Sequence, residues 1–239
     1  MPAGSRIADI GSDHGYLALN LLESRIANFA IITDKNPAPL DSARKNSKLA
    51  NIEDKNLEFR LGDGLSILEP NEVDTICIAG MGGALIGEIL SESPNIVETA
   101  KRLILQPMNG MKPLRTWLYR SKWHIADEKL VEVDHKIYTI ILAEPGESEL
   151  PTSLELQLGP VIMQRYRKRK IFREHIRDRI QIMQRVVLDM SRSILAKRSP
   201  KYLELKETIE EMKSLLHCDE EILSEEDLSN LPTMIPRSL

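Results

Sequence analysis

Over the first 143 residues, short apolar runs alternate with longer stretches whose apolar positions recur every three or four residues. That alternation predicts a mostly parallel sheet with helices on both faces. The apolar runs place strands at residues 6–10, 29–33, 57–61, 73–79 and 101–106. The amphipathic stretches place helices at 16–24, 39–50, 84–91 and 112–121. The rhythm then changes, and residues 123–131 and 136–143 read as two strands joined by a short polar link. A parallel pair needs a crossover of about a dozen residues, so these two must run antiparallel. Five strands in βα units followed by a hairpin make a seven-stranded α/β sheet.

Residues 144–151, with two prolines, one glycine and three glutamates, read as a linker. Beyond it the pattern is purely helical. Ile162, Tyr166, Phe172, Ile176, Ile180, Met183, Val187, Met190 and Ile194 recur mostly at helical steps, so one long helix is expected. Ser199-Pro200 interrupts it, a cap residue followed by a residue suited to the first helical position. Tyr202, Leu205, Ile209, Met212 and Leu216 then resume the spacing in a second, acidic helix. The economical arrangement is an antiparallel, coiled-coil-like helical hairpin with its apolar stripes facing. Two domains are expected, residues 1–150 and 151–239, with 231–239 a loose tail.

Charge sharpens this division. The 239 residues carry a net charge of −4, but unevenly. Residues 1–150 hold 16 Lys/Arg against 22 Asp/Glu, residues 151–200 hold 12 against 4, and residues 201–239 hold 4 against 10. One strongly basic segment therefore lies between two acidic ones. That balance excludes histone-like coating of nucleic acid and accommodates a localised contact. No run approaches the ~18 apolar residues of a membrane span, and residues 1–6 lack the apolar core of a signal peptide. Cys77 and Cys218 are the two cysteines, too few for a disulfide scaffold, and cytoplasm is the expected location.

Candidate chemistry gathers where the expected strands end. Asp9-Ile10-Gly11-Ser12-Asp13-His14-Gly15-Tyr16-Leu17 joins the first strand to the first helix. Gly11 permits a tight turn, and Gly15 lets a ligand or backbone pass close to the helix start. A dinucleotide loop would read Gly-x-Gly-x-x-Gly, but here Asp13 takes the place of the middle glycine and Asp9 precedes the turn. Two carboxylates repel a pyrophosphate and suit the sulfonium and ammonium of S-adenosylmethionine. Asp34 ends the second strand, where an acid can accept from both ribose hydroxyls. Gly62-Asp63-Gly64 follows the third, where a carboxylate can accept from an adenine amine. Three acids on one sheet edge point to a nucleoside ligand. NAD would use the ribose acid but leaves Asp9 and Asp13 unexplained. Ala79-Gly80-Met81-Gly82-Gly83, after the fourth strand, offers a shallow backbone wall for something flat. It lacks the Asn/Asp-Pro-Pro-aromatic signature of exocyclic-amine methylation and fits attack by a ring nitrogen.

These residues resemble a known family. Residues 9–17, Gly62-Asp63-Gly64, residues 78–83, residues 103–107 and Leu114-Arg115-Thr116-Trp117-Leu118 are similar to the bacterial tRNA (adenine-N1)-methyltransferases that modify adenine 22. The resemblance covers the whole catalytic domain, and the helical hairpin lies where that family carries its C-terminal domain. It implies a Rossmann-like class I methyltransferase sheet that uses S-adenosylmethionine on tRNA. It also implies that Asp9, Gly11, Gly15, Asp34, Gly62 and Asp63 surround the cofactor and that Asp13 is the candidate catalytic acid. His14, Lys35, Gly64, Ala79 and Gly80 complete the candidate cofactor set. The chain departs from the family in opening without the helix that precedes the first strand, and in having Asp34 where Glu is usual. It also reads Gln106-Pro107-Met108-Asn109 instead of Gln-Pro-Asn, and Ala18 replaces a common proline.

Adenine N1 has an available lone pair, so alignment and exclusion of water should supply most of the rate. Methylation places positive charge on the base. Asp13 is a candidate to stabilise that charge and take the N6 proton afterwards, or else to bind the cofactor amino group. Tyr16 either stacks on the target base or covers the first helix, and His14 is either a base or a packing residue. Asn109 and Gln106 are candidate edge readers. His124, His135, His175 and His217 are scattered, and no metal is expected. Pulling a base from its stack costs a few kcal/mol. Arg165, Arg167, Lys168, Arg169, Lys170, Arg173, Arg177 and Arg179 are the candidate phosphate contacts that offset it. The expected partner is tRNA, with no membrane and a monomer or weak homodimer. A small-molecule or protein methyltransferase would leave the basic segment idle. A non-catalytic tRNA-binding protein would keep only a vestigial cofactor site.

Overall fold

Strands β1 (Ser5–Ile10), β2 (Ala27–Asp34) and β4 (Thr75–Gly82) are buried at successive positions, with Ile7, Ala8, Ala30, Ile31, Ile32, Ile76 and Ile78 all inaccessible. Strands that are apolar on both faces must be covered on both, which is the condition for a parallel sheet. The computed structural model, which describes residues 1–218, has a seven-stranded sheet in the order β3-β2-β1-β4-β5-β7-β6. Here β3 is Leu57–Leu61, β5 Arg102–Asn109, β6 Trp123–Val133 and β7 Lys136–Pro145. The first five pair in parallel, and β7 inserts antiparallel between β5 and β6. Asp134 and His135 at the hairpin tip have φ of +49° and +61°, the left-handed pair that a tight type I′ turn requires.

Helices α1 (Tyr16–Glu23) and α2 (Pro37–Leu49) bury Ala18, Leu19, Leu22, Leu40 and Ala43 against Ile7, Ala30 and Ile32. Helix α3 (Gly83–Glu92) packs on β4 and β5, the short α4 (Pro94–Val97) follows it, and α5 (Met111–Arg120) packs on α3 and β6. Arg115 of α5 and Glu128 of β6 form a fully buried ion pair, with Nε and Oε1 2.7 Å apart. Strand order reverses between β1 and β4. Loops leaving those two strands diverge, and a crevice opens at their C-terminal ends.

The chain divides into two compact units, Met1–Thr152 and a second starting at Ser153. The second consists of α6 (Ser153–Leu158), α7 (Pro160–Tyr166), α8 (Lys170–Met190), α9 (Ile194–Lys197) and α10 (Pro200–Cys218). Helices α8 and α10 pack together, burying Phe172, Ile176, Ile180 and Met183 of one and Ile209 and Met212 of the other. The single long helix expected over 162–194 is instead three. It breaks at residues 167–169, where Arg169 takes extended backbone (φ −91°, ψ 147°) ahead of α8. It breaks again where Ser193 caps α9 through Ala196 N–H, which leaves Ile194 74% exposed rather than on the buried stripe. The tail at 231–239 lies outside the described residues. Among those residues, no helix is long and apolar enough to cross a membrane.

Candidate active site

The β1–α1 loop begins with Asp9, which is buried at the strand end. Its Oδ2 accepts the Ser12 hydroxyl at 2.6 Å. Burial raises its pKa from 3.8 to about 6, while the Ser12 hydroxyl and the Ala18 backbone pull it the other way. Gly11 and Gly15 both take left-handed φ, +67° and +73°. A Cβ on Gly15 would press on Ala43 and Ile32 at 3.0 Å, so glycine is required there by helix packing. Asp13 and His14 pair with each other at 3.3 Å, both well exposed, and the His14 ring lies 5.4 Å from that of Tyr16.

A cavity of about 150 Å³ lies at the strand-order reversal. Gly11, Asp34, Lys35, Gly62, Asp63 and Gly64 line it, which brings six of the candidate cofactor residues together. Asp34 Oδ1 accepts the Asn36 backbone N–H at 2.7 Å, fixing its carboxylate at the end of β2. Adjacency of β2 and β3 carries Asp63 beside it, with Gly62 N–H donating to the Asp34 carbonyl. Asp9, His14, Gly15, Ala79 and Gly80 are not in that lining, and neither are Asp13, Tyr16 or Asn109. The sequence reading did not single out Ile10, Thr33, Asn36, Met81, Leu85 and Ile89 as site residues, and these complete the wall. Leu85 and Ile89, one turn apart on α3, carry the signal of an ordinary core stripe, although Leu85 is 47% exposed.

The glycine run expected as a loop after the fourth strand is largely strand. β4 continues to Gly82 and pairs with β5 as far as Asn109. Gly82 faces the Asn109 side chain, where a Cβ would stand 3.1 Å from Oδ1. A Cβ on Gly83 would run into the Gly110 carbonyl, because two loop backbones cross there. The cations of the second unit are distributed over three elements. Arg165 ends α7, Arg167, Lys168 and Arg169 form the turn, and Lys170, Arg173, Arg177 and Arg179 belong to α8. Arg169 lies over the Tyr166 ring at 5.0 Å, and Lys170 reaches Glu174 at 3.7 Å.

The residues present fit a sulfonium nucleoside. Paired acids at the ends of β2 and β3 can take ribose hydroxyls and an adenine amine. Leu85 and Ile89 can cover a flat ring, and the lining sets one cation, Lys35, against the two acids Asp34 and Asp63. A doubly wound sheet with an antiparallel β7 and this acid-lined crevice defines a Rossmann-like methyltransferase. The family model described as tRNA (adenine(22)-N(1))-methyltransferase matches residues 7–214, and the chain belongs to that family. It is 31% identical over 222 residues to the tRNA (adenine(22)-N(1))-methyltransferase of Bacillus subtilis, across 90% of this chain and 92% of that one. The crystal structure of the B. subtilis m1A22 tRNA methyltransferase superposes with a TM-score of 0.78 at 31% identity, covering 90% and 93% of the two chains. A Streptococcus pneumoniae relative solved in complex with S-adenosyl-L-methionine gives 0.74 at 30% identity, covering 90% and 94%.

Proposed function

We propose that this chain methylates N1 of an adenine in tRNA, adenine 22 by its family, with S-adenosylmethionine held in the cavity of Asp34 and Asp63. The observation that carries the assignment is the convergence of those two carboxylates with Gly11 and Gly64 at the reversal point of the sheet. When bound, S-adenosylmethionine supplies an electrophilic methyl group on a sulfonium. Asp34 accepts from the ribose hydroxyls and Asp63 from the adenine amine, fixing the nucleoside end. Asp9 offers a carboxylate from beneath the glycine turn to the cationic end. His14, Gly15, Ala79 and Gly80 shape the flanking backbone, and Lys35 borders the ribose acid.

Asp13, exposed and beside His14, accepts the N6 proton of the target adenine and balances the charge that methylation places on the ring. Tyr16, 66% exposed, stacks on the extruded base, and Asn109 reads its edge. The cations of residues 165–177 hold tRNA through its phosphates, giving affinity without sequence choice. The domain division assigns catalysis to residues 1–150 and this contact to 151–239. The enzyme works in the cytoplasm as a monomer or weak homodimer. The test is to incubate purified protein with bulk unmodified tRNA and S-adenosylmethionine, and to map the modified position. N1-methyladenine at position 22 is expected; no methylation, or methylation elsewhere, overturns the reading.

A further inference from the structure

We infer that Gln106 is a positioning residue for the cofactor site, acting through Met81. This rests on the reading of the Asp34–Asp63 cavity as the S-adenosylmethionine site. Strands β4 and β5 stay in register from Thr75↔Arg102 to Ala79↔Gln106. They then slip, so that Met81 pairs with Pro107 and Gly80 has no counterpart. Pro107 supplies no N–H to the ladder, which is where a regular pairing would fail. Gly80 is the extra residue of a β-bulge, with φ of +76° that glycine alone reaches at no steric cost.

The N–H of Gly80 has left the ladder, and the side chain of Gln106 receives it. Gln106 Oε1 accepts it at 2.9 Å, and the amide nitrogen of the same side chain contacts the Met108 sulfur at 3.5 Å. One side-chain carbonyl therefore stands in for the missing strand carbonyl and holds the bulge in place. An added residue breaks the two-residue alternation of a strand, so Met81 is not bound to the face of Cys77 and Ala79. Its methyl instead stands over Gly11, where any Cβ would run into it, and it forms part of the wall of the cavity. That cavity measures about 150 Å³. Met81 is unbranched and has three rotatable bonds, so where it stands depends on the backbone that carries it. Gln106 sets the backbone direction from which it swings.

The experiment is a double-mutant cycle read by S-adenosylhomocysteine binding in titration calorimetry, with a melting curve recorded for every variant. Gln106→Leu should weaken binding about three- to tenfold, the worth of one lost hydrogen bond. Gln106→Asn, one methylene too short to reach Gly80, should reproduce that loss. Gln106→Glu keeps the accepting oxygen and should restore most of the affinity. In turnover the loss should appear in the KM for S-adenosylmethionine and not in kcat. In a Met81→Ala background, where there is no side chain left to aim, Gln106→Leu should cost nothing further. Equal losses in both backgrounds, or unchanged affinity in both Gln106→Leu and Gln106→Asn, would overturn this inference alone. Wild-type protein that does not bind S-adenosylhomocysteine would overturn the cofactor reading and this inference with it.

Discussion

Replacing Asp9 with Asn tests whether the carboxylate beneath the glycine turn is kept for a cation at the expense of stability. Burial lifts its pKa from 3.8 to about 6 against the pull of Ser12 and Ala18. Above pH 6, keeping it ionised in the fold costs about 3 kcal/mol. Because the folded pKa is the higher one, this group's contribution to stability is fully present below pH 3.8. It is lost as pH rises through about 6. Asn can still accept the Ser12 hydroxyl and carries no charge. Asp9→Asn should therefore stabilise the protein in urea unfolding, by up to about 3 kcal/mol at pH 7.5. The gain should exceed that at pH 5 by about 1.5 kcal/mol, a difference that cancels any pH-independent effect of the amide itself. Ligand binding should move the other way. An ammonium group favours ionised Asp9, so S-adenosylhomocysteine affinity of the wild type should fall by up to about tenfold per pH unit below pH 6. Asp9→Asn should flatten that profile and lower the affinity at pH 8. An equal gain in stability at both pH values, or a wild-type affinity that is flat from pH 5 to 7.5, would refute the reasoning.

Asp34→Asn and Asp63→Asn should each reduce S-adenosylhomocysteine affinity by about ten- to a hundredfold, the range of a hydrogen bond to a charged acceptor, as read by calorimetry. Asp13→Asn should leave that affinity intact and lower kcat at saturating tRNA and cofactor; unchanged turnover would remove Asp13 from the chemistry. Arg115→Leu takes the buried Glu128 carboxyl's ion-pair partner away and should destabilise the sheet unit by about 3–5 kcal/mol in urea, with most of the loss regained in the double variant Arg115→Leu, Glu128→Leu. Reversing Arg167, Arg169 and Arg173 to Glu should weaken tRNA binding while sparing S-adenosylhomocysteine binding. The slope of log affinity against log salt should become shallower by about 0.7–0.9 for every phosphate that these cations no longer neutralise.

Period and punctuation made the sheet readable in the sequence. Each buried strand is a run of β-branched and small apolar residues too short for a helix. The polar link near Asp134 leaves no room for a crossover, which fixes the direction of the final hairpin. Asp34 and Asp63 were legible as partners for the same reason, since parallel neighbours end on the same edge. What was not legible depends on where side chains from other elements arrive. Gly15 reads as room for a ligand or for backbone, and only the fold shows Ala43 and Ile32 pressing on it; Gly83 reads as a flat wall until Gly110 crosses it. Nothing in the sequence marks Arg115 as buried, yet its side chain is inaccessible. Its burial follows from Glu128, thirteen residues away on a strand, and no helical periodicity records that.

The basic segment shows how a correct pattern can conceal the geometry that matters. Apolar spacing alone extends one helix through residues 162–194, because Tyr166, Phe172 and Ile176 keep nearly the right steps. Periodicity does not record the backbone of Arg169, whose extended φ of −91° and ψ of 147° end the helical path that runs through Tyr166. The turn changes what the cations can do. On one straight helix they would spiral around the axis, and a phosphate backbone could meet only the fraction on one side. They lie instead in the last turn of α7, in the turn itself and along the first half of the 21-residue α8. Unpaired N–H groups there also favour an anion. Cations at a helix N-terminus are otherwise unfavourable. Under the proposed tRNA contact, a phosphate held there would offset part of that cost.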